Sequence, residues 1–126
     1  MSASALLART QSANVAPDSL ITREEIFGPV AAIQVFDNEA DALNIANSTP
    51  WGLFGYVFTR DLERAFRTSE ALDLGMVGVN TGIVSHPAIP FGGVKESGIS
   101  REGGLDGIEE YLEHKLVTFP VRSHHV

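Results

Sequence analysis

Apolar and polar positions fall in blocks along this chain, and the blocks carry two different periods. VAAIQVF, residues 30–36, is a nearly unbroken apolar run behind the breaker pair Gly28-Pro29, as a mostly buried strand requires. EADALNIANS reads as a helix, with Ala40, Leu43, Ala46 and Asn47 on one face. Asp37 or Asn38 is placed to cap it and Thr49-Pro50 to end it. LFGYVFT, residues 53–59, is aromatic and β-branched enough for a second strand, and Gly52 and Gly55 predict tight approach at its start. Asp61 caps a second helix, DLERAFRTSEALDL, whose stripe is Leu62, Ala65, Phe66, Ser69 and Leu72. Gly75 stands where a left-handed residue would close that helix, and MVGVN, residues 76–80, makes a third strand.

Strands this apolar, alternating with helices, predict an α/β fold. The pattern is that of a three-layer unit in which right-handed crossovers cover both faces of a parallel sheet. Residues 1–19 are small and polar without periodicity and read as a loose N-terminal arm. Residues 20–104 hold the α/β unit. It ends in a glycine-rich stretch from Thr81 to Gly104 that is too long for a passive connection and reads as a loop lining a site. Residues 105–126 carry a short acidic helix, GLDGIEEYLEHK, and a last strand, LVTFPV, whose Pro120 suits an edge or a strand added to another subunit. A three-stranded sheet leaves two open edges, so the expectation is a piece of a larger protein or a homo-oligomer.

Composition narrows the function. The 126 residues are 44% hydrophobic and 20% charged, which fits one globular domain and excludes collagenous or disordered chains. A net charge of -7 repels phosphate backbones and anionic headgroups, so nucleic acid and membrane surfaces are disfavoured partners. No apolar run is long enough to span a bilayer, and the first residues lack the pattern of a signal peptide; the expected setting is cytoplasmic. There is no cysteine, which removes disulfides, Cys-ligated metals and any thiolate nucleophile supplied by this chain. Four scattered histidines, including the pair His124-His125, have no metal-ligand spacing, and none is expected to hold a metal. GGVKESGIS lacks the Gly-Lys-Ser/Thr ending of a phosphate loop. Trp51, Phe54 and Phe58 are expected in the core, and Arg64, Arg67, Glu63 and Glu70 on a solvated helix face.

Three stretches in order carry a resemblance. REEIFGPV (residues 23–30), NTGIVSHPAIPFGGVKESGISREGG and DGIEEYLEHKLVTF resemble the acidic-Phe-Gly-Pro signature, the Pro-Phe-Gly-Gly loop and the C-terminal helix and subunit-bridging strand of the NAD(P)-dependent aldehyde dehydrogenase family. The likeness runs over roughly residues 14 to 121, the C-terminal portion of such an enzyme, and is greatest to succinate-semialdehyde dehydrogenases. TQSAN stands where the family carries an apolar strand ahead of VAPDSLI.

The resemblance implies NAD or NADP as cofactor and a small aldehyde as substrate. Glu25 would match the carboxylate that accepts hydrogen bonds from the nicotinamide-ribose hydroxyls, and Phe27 the aromatic beside the nicotinamide ring. Ser85 would match the serine that donates to the far carboxylate of succinate semialdehyde, and Phe91 would line the aldehyde tunnel, with Gly92 and Gly93 permitting close backbone approach. The plainer alternatives are a solvated Glu25, a core Phe27, a Ser85 held in a local turn and a core Phe91. The nucleophilic Cys and the pyrophosphate-binding glycine turn of the family are absent, so no catalytic residue is assigned and this chain by itself is expected to be inactive. The other expectation is a non-catalytic self-association module.

Overall fold

A computed structural model describes residues 10–120 of the chain. Its strands are β1 (Thr10–Ala13), β2 (Val30–Ile33), β3 (Trp51–Gly52), β4 (Phe54–Val57), β5 (Met76–Val79) and β6 (Val94–Lys95); its α-helices are α1 (Glu39–Asn47) and α2 (Leu62–Ala71). The α/β class holds, and the strand-helix order from residue 30 to residue 79 is the expected one.

The sheet differs from the expectation. Instead of one three-stranded sheet there are three two-stranded pairs: β1 with β2 in parallel, β4 with β5 in parallel, and β3 with β6 antiparallel. β4, α2 and β5 form the one closed crossover among the described residues, with Phe54 opposite Met76 and Val57 opposite Val79. β2 instead pairs with β1, so residues 10–13 are a strand and not part of a loose arm, while residues 1–9 lie outside the described residues. TQSA is polar, yet a parallel ladder is a backbone bond set that asks little of side chains at a solvated edge.

Both helices are capped from among the candidates, α1 by Asn38 and not Asp37, α2 by Asp61. Asn38 accepts from the Asp41 N–H at 3.0 Å and Asp61 from the Arg64 N–H at 3.0 Å. Their inward faces are rotated from the expected ones. In α1, Ala42, Leu43, Ile45 and Asn47 are half-buried while Ala40 and Ala46 are exposed. In α2, Ala65 and Thr68 are the buried pair, with Leu62 and Phe66 exposed. Thr68 can be buried because its hydroxyl donates to the Arg64 carbonyl at 2.6 Å. Nor is the Arg64/Arg67 face merely solvated. Arg67 grips Glu39 of α1 at 2.7 and 2.9 Å and Arg64 adds a bond at 3.2 Å, so one carboxylate ties the two helices. The hydrogen bond from Arg67 holds the Glu39 carboxyl below the usual range, with Arg64 adding to it.

Gly75 does not close α2 with a left-handed turn. Leu72 ends the helix in extended conformation, and the amide of Asn47 seals its end, donating to the Ala71 carbonyl at 2.9 Å and accepting from the Asp73 N–H at 2.8 Å. The short acidic helix expected over residues 104–115 is a 3-10 helix, Asp106–Tyr111, and residues 116–120 of the expected last strand pair with nothing among the described residues. Val121 and the pair His124-His125 lie outside the described residues.

The core is small: Ala65 is the one buried hydrophobic residue among those described. Trp51, Phe54 and Phe58, expected inside, are exposed, although Phe54 and Tyr56 meet edge to face at 5.5 Å. The accessible surface is 10905 Å², against about 6,500 Å² for a compact monomer of this mass. The apolar faces that the sequence pattern sets aside for burial are thus real, and the chain alone leaves them uncovered. No helix among the described residues is long and apolar enough to cross a membrane.

Candidate functional site

The glycine-rich stretch after β5 folds back over the crossover unit. Asn80 leaves β5 with φ 53°, and its side-chain amide clasps Thr59, accepting from the N–H at 2.9 Å and donating to the carbonyl at 2.8 Å. That clasp holds the end of β5 against the segment after β4 and sets the direction in which residues 81–91 depart. β6 then returns to β3, with Trp51 opposite Lys95 and Gly52 opposite Val94. Lys95 adopts φ 55° and sends its ammonium to the carbonyls of Asn47 (3.0 Å) and Thr49 (3.3 Å) and to Asp73 (3.1 Å). Sequence reasoning passed over Lys95 and Asn80. An Asn just past a strand, where left-handed φ is tolerated, was the available signal for the second.

Between these anchors the Pro-Phe-Gly-Gly box is fixed by backbone contacts. Phe91 and Glu102 exchange both N–H···O bonds at 2.7 Å, and Arg101 donates to the Gly93 carbonyl at 2.7 Å. A Cβ at Gly92 would strike the Ser100 carbonyl, and one at Gly75 would strike the Gly92 carbonyl, so the two chain passes touch through missing side chains. The close approach expected at Gly92 and Gly93 is present; at Gly75 the glycine is required by packing, not by a positive φ.

The result is a shallow groove of about 340 Å³ lined by Ser85, His86, Pro87, Ile89, Phe91, Glu102 and Gly103. Ser85 and Phe91 are therefore brought together, Ser85 as an exposed rim and Phe91 as a half-buried wall. Ser85 is an exposed loop residue. Phe91 is half-buried in the groove wall and not a core residue. The imidazole of His86, which sequence reasoning left without a role, is held in place because Nδ1 accepts from the Ala88 N–H at 3.1 Å.

Glu25 lines a different depression, and Phe27 is not among the residues of the Ser85 groove. Glu25 borders a second depression of about 620 Å³, with Trp51, Leu53, Phe54 and Leu74 among its lining residues. Phe27 is 93% exposed, which overturns the reading of it as a core residue. Of the four site residues, Ser85 and Phe91 thus share a groove, Glu25 borders a second depression, and Phe27 is exposed.

Comparison with known proteins bears on what such a groove serves. The model of the "Aldehyde dehydrogenase family" matches residues 3–117. The mitochondrial succinate-semialdehyde dehydrogenase of Oryza sativa subsp. japonica is 53% identical over 104 residues, 82% of this chain and 20% of its own length. The NADP(+) succinate-semialdehyde dehydrogenase of Escherichia coli strain K12 is 50% identical over 104 residues, 82% of this chain and 22% of its own. Among solved structures, an aldehyde dehydrogenase of Mycobacterium tuberculosis complexed with NAD+ superposes with a TM-score of 0.82 at 40% identity, covering 92% of this chain and 24% of that one. The chain spans about a fifth of the length of the curated relatives it matches.

Proposed function

The chain belongs to the aldehyde dehydrogenase family, and we propose that it supplies one wall of a succinate-semialdehyde dehydrogenase pocket. The observation that carries this reading is the shared groove of Ser85 and Phe91, held open by the Phe91–Glu102 exchange. A hydroxyl offers a donor to the far carboxylate of an ω-carboxylated aldehyde without a fixed charge, while an aromatic wall shields its methylene chain.

Glu25 and Phe27 are the residues that would hold a nicotinamide cofactor, which accepts hydride when bound. Both fit that use. Glu25 is exposed at the edge of a depression, so its two oxygens are open to two ribose hydroxyls, and the bare ring of Phe27 offers a face to a planar partner. The polypeptide has no thiol to form the acyl-enzyme bond, so these residues bind and orient and do not themselves react. Titration of the purified chain with NAD, NADP and succinate, alongside an assay for oxidation of succinate semialdehyde, tests the proposal. Binding without turnover is expected; turnover by this polypeptide would refute its silence, and succinate binding indifferent to Ser85→Ala would refute the pocket.

A second reading is favoured by one specific observation, the uncovered apolar surface. Phe27, Leu105, Tyr111, Leu116 and Phe119 are all more than four-fifths exposed. A second copy of this chain would cover part of that surface, and the unpaired segment 116–120 offers backbone groups to a partner's sheet edge. Light scattering that shows a monomer at all concentrations would remove this reading.

A further inference from the structure

The two parallel pairs, β1–β2 and β4–β5, are unfinished sheets. Each has two outer edges, and no strand among the described residues pairs with any of them. Parallel strands are ordinarily covered on both faces and flanked by further strands, and a two-stranded ladder by itself is marginal. A groove of about 490 Å³ is lined by the segments that follow both β2 and β4, and its aromatic residues Phe36 and Phe58 are 56% and 71% exposed. Exposed large apolar side chains run from Leu20 to Phe119, 22 in all. An interface of standard size takes about 20–30 residues a side, of every kind, and a two-fold contact uses one self-complementary patch. A second copy therefore covers a part of this surface and leaves the rest bare.

We infer that the occupant is a polypeptide carrying the rest of the aldehyde dehydrogenase fold, on which this chain docks in trans through the open edges of its two parallel pairs and the groove of Phe36 and Phe58. The reason lies in shape. Without any cover, the chain superposes on a segment that makes up 24% of the Mycobacterium tuberculosis enzyme, so it already holds the form this segment has within a much larger protein. A surface held in its bound form avoids most of the ordering cost that weakens coupled folding and binding. A partner of that fold also meets both needs together, because its strands extend the pairs while its further layers cover their faces. This docking needs family membership and the bare surface, and does not depend on the Ser85 groove.

The test co-expresses the full 126-residue chain with the NADP(+) succinate-semialdehyde dehydrogenase of Escherichia coli strain K12, truncated ahead of the segment that this chain matches. Purification through a tag on the truncated enzyme, followed by light scattering, is expected to give both polypeptides in equal numbers, with more of the truncated enzyme soluble than when it is expressed alone. Phe36→Asp combined with Phe58→Asp should lower the co-purified chain about tenfold, because docking would have to desolvate two carboxylates. Phe58→Leu, which keeps the surface apolar, should retain docking. Both positions are exposed in the chain by itself, so the substitutions act on docking and not on the fold. A chain that associates only with itself, a truncated enzyme that stays insoluble or unaccompanied in its presence, or docking indifferent to the two aspartates would overturn the proposal. Docking by a chain whose succinate binding ignores Ser85→Ala would remove the pocket reading and leave this one standing. Succinate bound at Ser85 by a chain that does not dock would do the reverse.

Discussion

Gly75→Ala isolates the contact on which the candidate groove is mounted. Gly75 has no positive φ, so alanine suits its backbone and any cost is steric. The new Cβ would overlap the Gly92 carbonyl oxygen and stand 2.8 Å from Gly93 Cα and 2.9 Å from the Gly92 carbonyl carbon. All three neighbours are backbone and cannot swing aside as a side-chain tip would. Either β5 or the Pro-Phe-Gly-Gly box must move, and β5 is tied down by the Gly75 N–H bond to Gly52 (2.9 Å) as well as by its ladder to β4. Overpacking of this kind costs about 1–3 kcal/mol, and backbone against backbone belongs at the upper end. With a urea m-value of about 2 kcal/mol/M, the unfolding midpoint should fall by about 1 M at unchanged slope. Trp51, the single tryptophan, sits on β3 opposite Lys95 and reports on this region by fluorescence, while far-UV circular dichroism reports on the helices. Gly82→Ala is the control, because nothing lies within 4 Å of its Cβ position; it should stay within about 0.5 kcal/mol of the parent. If Gly75→Ala unfolds the chain outright while Gly82→Ala remains folded, the direction still holds. Equal midpoints for the two variants would refute the packing argument.

Other expectations follow from single hydrogen-bonded groups. Asn47→Ala strips the end of α2 of a donor and an acceptor and should cost about 1–3 kcal/mol by urea titration. Asn80→Ala loses both bonds to Thr59 and keeps a left-handed backbone, so it should be less stable than Asn80→Gly, which loses the bonds but accepts the φ of 53°. Because the folded-state pKa of Glu39 is lowered, its stabilising effect is present above the usual carboxylate range and is lost as pH falls through the lowered value. Glu39→Gln should therefore flatten the acid limb of the stability-pH curve, and an acid limb identical to that of the parent would show that the Arg64–Glu39–Arg67 bridge is not felt in solution.

What was legible in the sequence, and what was not, divides along a physical line. Elements set by local chemistry were legible: Asp61 and Asn38 cap the helices they precede, and the apolar runs around Val30, Gly55 and Val77 are strands. Pairing between distant segments was not. β2 chose polar TQSA as a partner because a parallel ladder joins backbones, and nothing in TQSA advertises that choice. The helix faces were misplaced for a related reason. Leu62 and Phe66 were assigned inward because they are apolar, but apolarity marks a residue for burial without naming what will bury it. The same holds at the groove. The residue types at Ser85 and Phe91 and the glycines beside them pointed to a lined loop, yet the hydrogen bond from the Ala88 N–H that fixes the His86 ring there is one that no spacing rule contains. Chemistry carried by one residue and its neighbours can be read from a string. A contact made when a turn fixes one ring nitrogen needs the fold.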